Sequence, residues 1–207
     1  MKPDDILRRA SSVGSYYGFT PLSALAAANK MSKRAPYPDS IVPEALDPVA
    51  REVAGFLKHV RDSGLTPSPA QPLFIWHTNA SAGRPAPRNL VIQFHALGVE
   101  HSIADAVLMR TVRAFLHEVV KGEHALRVNS MGDKETRSRF ARELTSFFRK
   151  HAASLPENCV NCAKRDVFEA AELLAAMAAE SLPSPTDHLS EASRKHFEGV
   201  LEYLEST

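Results

Sequence analysis

Apolar residues recur at helical spacing in several parts of the chain, and residues that begin or end helices lie at the boundaries. Near the N-terminus, Ile6, Ala10 and Val13 follow this period, which predicts a helix over residues 3–17 that Gly18 ends. The same period predicts five further helices, which begin near Asp47, Ser102, Asp133, Val167 and Ser190. At the start of the Ser102 helix, the acid three residues on has the spacing of a capping box.

Two segments in the middle of the chain show the patterns of β-strands. Residues Leu73 to Thr78 are rich in β-branched and aromatic side chains, and residues 90–97 alternate between an apolar and a partly polar face. A loop of roughly ten residues joins them, which favours an antiparallel pair. Residues Leu126 to Val128 are a further strand candidate. This order of elements predicts an α+β fold in which helices flank an antiparallel sheet.

The composition limits the class of protein. The chain has 207 residues and a mass of 22.7 kDa, enough to bury the core of one domain with a small appendage. Its 25 Lys and Arg residues balance 24 Asp and Glu, and a net charge of +1 argues against bulk polyelectrolyte binding to nucleic acid. The sequence has no apolar run of the roughly 20 residues that span a bilayer, and its N-terminus has no apolar signal core. We therefore expect a cytoplasmic protein that does not bind a membrane.

Several segments in the right order resemble histidyl-tRNA synthetase, a class II aminoacyl-tRNA synthetase. From residue 93 the chain reads QFHALGVE, then IADAVLM, then LRVNSMGD, and the resemblance continues through the cysteine segment 159–165 and through LSEASRKHF at 189–197. Residues 6–19, which end in YYGF, resemble the family's motif 1 helix, which lies at a dimer interface. The resemblance implies a class II synthetase-like core over residues 1–155, a helical appendage over residues 156–207, and a homodimer.

The resemblance fails where the family binds ATP. Adenylate formation builds negative charge at the α-phosphate, and the family stabilises it with arginines on the motif 2 strands. An alignment without gaps places Ala82, Leu90 and Ile92 at those positions. A shifted alignment recruits Arg84 or Arg88 as phosphate-binding residues instead.

The amino-acid site is only partly retained. Ala96 replaces a glutamine that helps to hold the amino acid, whereas Glu100 is kept where the family has a carboxylate that faces the substrate ammonium. Glu100 and His95 are therefore the candidate amino-acid-binding residues. Each has a simpler alternative, because Glu100 fits a solvent-facing acid at a strand end and His95 fits a packed histidine. The given sequence also stops at Thr207, before further substrate-binding segments of the family, so we expect half of the active site to be missing.

The remaining motifs favour structural roles. Cys159 and Cys162 have the spacing of half a zinc site, but the sequence has no second cysteine pair, so we predict no metal. We expect the basic cluster Lys30, Lys33 and Arg34 to be a solvated loop. The aromatic residues of the predicted helix after Asp133 should lie in the core: Phe140, Phe147 and Phe148.

Three functional hypotheses follow from the resemblance and its failures. The first is a synthetase paralogue that no longer activates an amino acid and acts as a binding or regulatory module, as a paralogue in histidine biosynthesis does for an ATP phosphoribosyltransferase. The second is a histidine–tRNA ligase part that binds ATP, Mg²⁺ and histidine and is completed by another chain. The third is a dimeric structural helper without a ligand. We do not expect this chain to bind tRNA alone.

Overall fold

The computed structural model describes residues 1–28, 48–62, 64–79, 90–177 and 182–206. It divides into two compact units, residues 1–124 and residues 125–207. The predicted boundary between residues 155 and 156 falls inside the second unit. As a statement about domains, that boundary stays a prediction.

In its described residues, the first unit combines four helices with a small sheet. Its elements in chain order are α1 (Pro3–Tyr16), β1 (Thr20–Pro21), α2 (Leu22–Ala28), α3 (Pro48–Asp62), β2 (Leu73–Thr78), β3 (Ile92–Leu97) and α4 (Ser102–Val119). The predicted antiparallel pair is confirmed, since Leu73 of β2 lies opposite Leu97 of β3 and Thr78 lies opposite Ile92. The two-residue strand β1 pairs with β2 in parallel, so the sheet is mixed rather than wholly antiparallel.

The sheet is packed on both faces because side chains alternate along each strand. On one face, Trp76 belongs to an apolar cluster with Ala10, Phe19 and Phe115, which come from α1, from the turn after it and from α4. Gly14 of α1 permits this close approach, since a Cβ there would lie 3.0 Å from Cδ1 of Trp76. The other face carries a second apolar cluster, formed by Leu22, Phe56, Val60 and Ile75.

Most of the helix ends predicted from capping residues and glycines agree with the structure. Gly18 ends α1 with a φ of 83°, in the left-handed region that favours glycine. Asp133 and Ser190 both cap helices with their side chains. The predicted capping box at Ser102 is wrong, because His101 is the N-cap residue and no side chain accepts a cap hydrogen bond there. Ser102 already has helical geometry, and Asp47 lies outside the described residues.

The second unit is helical. It contains α5 (Lys134–Lys150), α6 (Glu157–Ala163), α7 (Val167–Ala176), a short 3₁₀ helix (Pro185–His188) and α8 (Glu191–Glu205). The predicted strand over residues 126–128 is wrong, since residues 123–132 form neither helix nor strand. Within the described part of the chain no strand pairs with this segment, and Leu126 is 43% exposed, so no partner holds it in a sheet.

The core of the second unit surrounds the cysteines. Phe147 and Phe148 of α5 pack with Cys159 and Cys162 of α6, and Ala170 and Leu174 of α7 complete the cluster. Phe140 is also buried, so the predicted aromatic core of α5 is confirmed. Both cysteines are free thiols. Burial, followed by the nearby Glu169, raises the pKa of the Cys162 thiol, which favours its protonated form.

The N-termini of α5 and α8 meet at the carboxylate of Asp133. Its Oδ1 accepts from the Thr136 amide at 2.8 Å, and its Oδ2 accepts from the hydroxyls of Ser190 at 2.6 Å and Ser193 at 3.1 Å. The Ser190 amide donates to the Thr136 hydroxyl at 3.0 Å. The hydroxyl of Ser190, followed by the Thr136 amide, holds the pKa of Asp133 well below its usual range, so the carboxylate stays ionised.

We predict that Thr136→Val destabilises the protein through this network. The substitution keeps the shape of a fully buried side chain but removes the acceptor of the Ser190 amide, which should lower the free energy of unfolding by about 1–3 kcal/mol. Urea denaturation measures this change. Thr145→Val is the matched control, because the exposed Thr145 hydroxyl bonds only to a carbonyl of its own helix. Equal stability of the two variants would contradict the prediction.

Candidate functional site

The strand β3 carries the segment that most resembles the synthetase family, and its two faces have different chemistry. Ile92 and Phe94 point to the cluster that contains Trp76 and Phe115. The Phe94 ring lies 5.5 Å from Phe19, 6.5 Å from Trp76 and 5.9 Å from Phe115, measured between ring centroids. Ile92 therefore occupies an apolar environment at a position where the resemblance implies a phosphate-binding arginine.

The opposite face of β3 brings together a polar cluster that the sequence did not predict. The Nε2 atoms of His77 and His95 lie 2.9 Å and 3.3 Å from the same oxygen, Oε1 of Gln93. Phe56 of α3 stacks on both imidazole rings, at centroid distances of 4.8 Å to His77 and 3.8 Å to His95. The two imidazoles lie nearly parallel, 5.3 Å apart. The alternation of the strands indicates this shared face once the register is known, but the position of Phe56 depends on helix packing.

His95 is uncharged at neutral pH. Burial, followed by the nearby charge of His77 when it is protonated, lowers the pKa of His95 to about 4. The ring is already covered by Phe56 and in contact with Gln93, which favours the packed-histidine alternative. A role for His95 in amino-acid binding stays a prediction.

The other predicted site residues are not members of the cluster formed by His77, Gln93, His95 and Phe56. Glu100 is exposed in the turn between β3 and α4. Ala96 lies opposite Phe74 in the strand pair, and Leu90 is half-buried just before β3. Ala82, Arg84 and Arg88 lie outside the described residues, as do Lys30, Lys33 and Arg34. An amino-group contact by Glu100 and phosphate contacts by Arg84 or Arg88 remain predictions.

The second unit has a shallow open depression of about 400 Å³ at the start of α5. The guanidinium of Arg137 lies 6.0 Å from the centroid of the Phe168 ring, a cation–π contact. The depression is lined by Gly132, Asp133, Lys134, Arg137, Ser138, Ala141 and Phe168. Among the described residues, no three His, Cys, Asp or Glu side chains are grouped so that they could hold a metal ion.

The curated proteins that match this chain include several histidine–tRNA ligases. No family model matches the chain. Three curated histidine–tRNA ligases match about half of it: those of Fervidobacterium nodosum (28% identity over 120 residues), Solibacter usitatus (30% over 115) and Rhodospirillum rubrum (31% over 123). These alignments cover 55%, 53% and 55% of this chain but only 28%, 27% and 30% of the relatives. The chain resembles histidyl-tRNA synthetases.

A solved structure extends this likeness to the fold. The apo histidyl-tRNA synthetase of S. aureus superposes with a TM-score of 0.57 at 17% identity, and the match covers 98% of this chain and 50% of that one. The predicted class II synthetase-like fold, with helices around a sheet and a helical C-terminal part, is confirmed. No helix in the described part of the chain is long and apolar enough to cross a membrane.

We predict that the stability of the chain falls as the pH is lowered from about 6.5 towards about 4, with a contribution from His95. The pKa of His95 in the folded chain, about 4, lies below the usual value of 6.5. As the pH falls between these two values, the unfolded chain binds a proton at His95 before the folded chain does, and this stabilises the unfolded state relative to the folded one. His95→Phe keeps a ring beneath Phe56 and should show a smaller fall in the urea midpoint between pH 7 and pH 4.5.

The control for this experiment is His117→Gln, at an exposed position of α4. This variant should keep the full pH dependence of the parent chain. A His95→Phe variant whose midpoint falls as steeply as that of the parent would show that the titration of His95 does not contribute.

Proposed function

We propose that this chain is a histidyl-tRNA synthetase-like module that does not activate histidine by itself and acts in binding or regulation. The observation that carries the proposal is the environment of Ile92, which packs with Phe94 against the cluster of Ala10, Phe19, Trp76 and Phe115. An aliphatic side chain in that position cannot bond to a phosphate oxygen. We therefore expect this position to contribute no contact to a phosphate of ATP.

Replacing a phosphate-binding arginine by an aliphatic residue is expected to slow amino-acid activation strongly. Loss of one preorganised donor to a developing negative charge typically lowers the rate by about 10²–10³-fold. The resemblance places apolar residues at three such positions, Ala82, Leu90 and Ile92. The segments that match the family best in the second unit serve packing and helix capping, as Asp133, Ser190 and the buried cysteines do. The segments that resemble the family thus support the fold, while apolar residues occupy the positions expected to stabilise negative charge. This combination supports a binding role rather than a catalytic one.

We predict no histidine-dependent ATP–pyrophosphate exchange by this chain. The assay contains the chain, ATP, Mg²⁺, histidine and labelled pyrophosphate, and a full-length histidyl-tRNA synthetase serves as the positive control. The chain should give the signal of a reaction without histidine, because the charge at the α-phosphate is not stabilised. Robust exchange that depends on histidine would overturn the proposal and favour synthetase chemistry.

We further predict that histidine raises the thermal midpoint of the chain. A ligand that binds only the folded state stabilises it by about 2.7 kcal/mol when its free concentration is about 100 times Kd. Glu100→Gln should reduce this rise, because it removes the carboxylate expected to face the ammonium group. Glu123→Gln is the control at another exposed acid, and alanine is the control ligand.

The outcomes of this experiment separate the remaining functions. A midpoint that does not change with histidine would favour a structural helper without a ligand. A rise that Glu100→Gln leaves intact would remove Glu100 from the site. Homodimer formation, completion by a second chain and a cytoplasmic location stay predictions.

A further inference from the structure

Three polar side chains on one face of the strand pair β2–β3 direct nitrogen and oxygen atoms at one point. His77 lies opposite Gln93 across the two strands, and His95 follows Gln93 by two residues, so all three share a face. The Nε2 atoms of both imidazoles lie within 3.3 Å of Oε1 of Gln93. Two ring nitrogens and an amide oxygen thus meet at the centre of this cluster.

The two distances from the amide oxygen are those between ligand atoms of one metal ion. Two atoms that each lie about 2.1 Å from an ion are about 3.0 Å apart when they subtend a right angle and about 3.4 Å apart at the tetrahedral angle. Oε1 of Gln93 lies 2.9 Å from Nε2 of His77 and 3.3 Å from Nε2 of His95, close to these values. An ion can therefore replace the protons between these atoms with little movement of either strand.

A neutral imidazole can present a lone pair at Nε2, the atom that points to Gln93 in both histidines. Its single ring proton then lies on Nδ1, and the heavy atoms of the ring occupy the same positions in both tautomers. The same geometry therefore serves hydrogen bonding and metal binding. Imidazole nitrogens are ligands that suit Zn²⁺, Ni²⁺ and Cu²⁺, whereas Mg²⁺ prefers oxygen. Two imidazoles thus select the transition-metal ions.

The surrounding residues hold the two imidazole rings in this arrangement. Phe56 is fully buried, and its ring lies nearly parallel to both imidazoles, at angles of 5° to His77 and 15° to His95. The imidazoles themselves are 14° from parallel. Both histidines are half-buried rather than enclosed, so an ion can reach them from solvent. Ligands that are fixed before binding lose little freedom when the ion arrives.

We propose that Nε2 of His77, Nε2 of His95 and Oε1 of Gln93 bind one divalent transition-metal ion of the class that prefers imidazole, such as Zn²⁺ or Ni²⁺. Three protein ligands leave at least one position of a four-coordinate ion to water or another small ligand. The ion links β2 to β3 beneath the Phe56 ring. This site is independent of the proposed loss of amino-acid activation, because Ile92 points to the other face of β3.

Isothermal titration calorimetry tests the site with the chain prepared without a histidine tag. Zn²⁺ and Ni²⁺ should each bind at one strongest site per chain, and Mg²⁺ should not bind there. His77→Phe and His95→Phe each remove one nitrogen but keep an aromatic ring against Phe56. Each should weaken binding at least about tenfold, since even the outer partners of a metal ligand are worth about 10–100-fold in affinity. The control His117→Gln, at an exposed position of α4, should leave the affinity unchanged.

Substitutions of Gln93 distinguish a metal site from a cluster that is only hydrogen-bonded. Gln93→Glu places a carboxylate oxygen where the amide oxygen lies, and its negative charge should raise the affinity for Zn²⁺ at least about tenfold. Gln93→Leu has no oxygen and should lower the affinity. Circular dichroism checks that each variant stays folded. If a histidine variant does not fold, the opposite effects of the two Gln93 substitutions decide the question.

Three outcomes would overturn the inference. The first is no binding of Zn²⁺ or Ni²⁺ at millimolar concentration. The second is binding that His77→Phe and His95→Phe both leave intact, which would assign the ion to other histidines or to the cysteines. The third is equal affinity of the parent chain, Gln93→Glu and Gln93→Leu, which would remove Gln93 from the ligands and leave the histidines as a packed pair.

Discussion

The carboxylate of Asp133 is the interaction on which the second unit depends. It caps α5 through the Thr136 amide and also accepts from Ser190 and Ser193, which begin α8. Two helices whose N-termini are far apart in the chain are thereby held at one point. With α5 fixed in this way, Phe147 and Phe148 reach the cysteines of α6 and close the core. A charged group with several hydrogen-bond donors specifies one arrangement more strictly than apolar packing does.

The first unit depends on a different constraint, a small sheet that is covered on both sides. Trp76 and Ile75 are neighbours in β2 but belong to separate apolar clusters, since alternate side chains face opposite ways. Such a sheet packs the partly buried side chains of Ile92 and Phe94 against apolar neighbours. The likeness to the solved histidyl-tRNA synthetase lies in the fold, and the proposed loss of amino-acid activation rests on the apolar surroundings of Ile92.

Predictions that rested on short-range signals were correct where the cause was local. Gly18 ends its helix, and Asp133 and Ser190 cap theirs, because the residues involved are adjacent in the chain. The strand pair was predictable from two alternating segments. The predicted strand at residues 126–128 was wrong because a strand needs a neighbouring strand to pair with, and the described residues supply none. The predicted capping box was wrong because Ser102 is already part of the helix and His101 is the N-cap residue.

The sequence by itself determined the order of most elements, the apolar character of the core and the likeness to synthetases. Only the tertiary structure decided which groups meet. Phe56 comes from a helix and covers His77 and His95 on separate strands, and the segments around Asp133 and Ser190 converge although 57 residues separate them. Periodicity and capping act over a few residues, whereas these contacts follow from how whole elements pack, and that packing sets the protonation of His95 and Asp133.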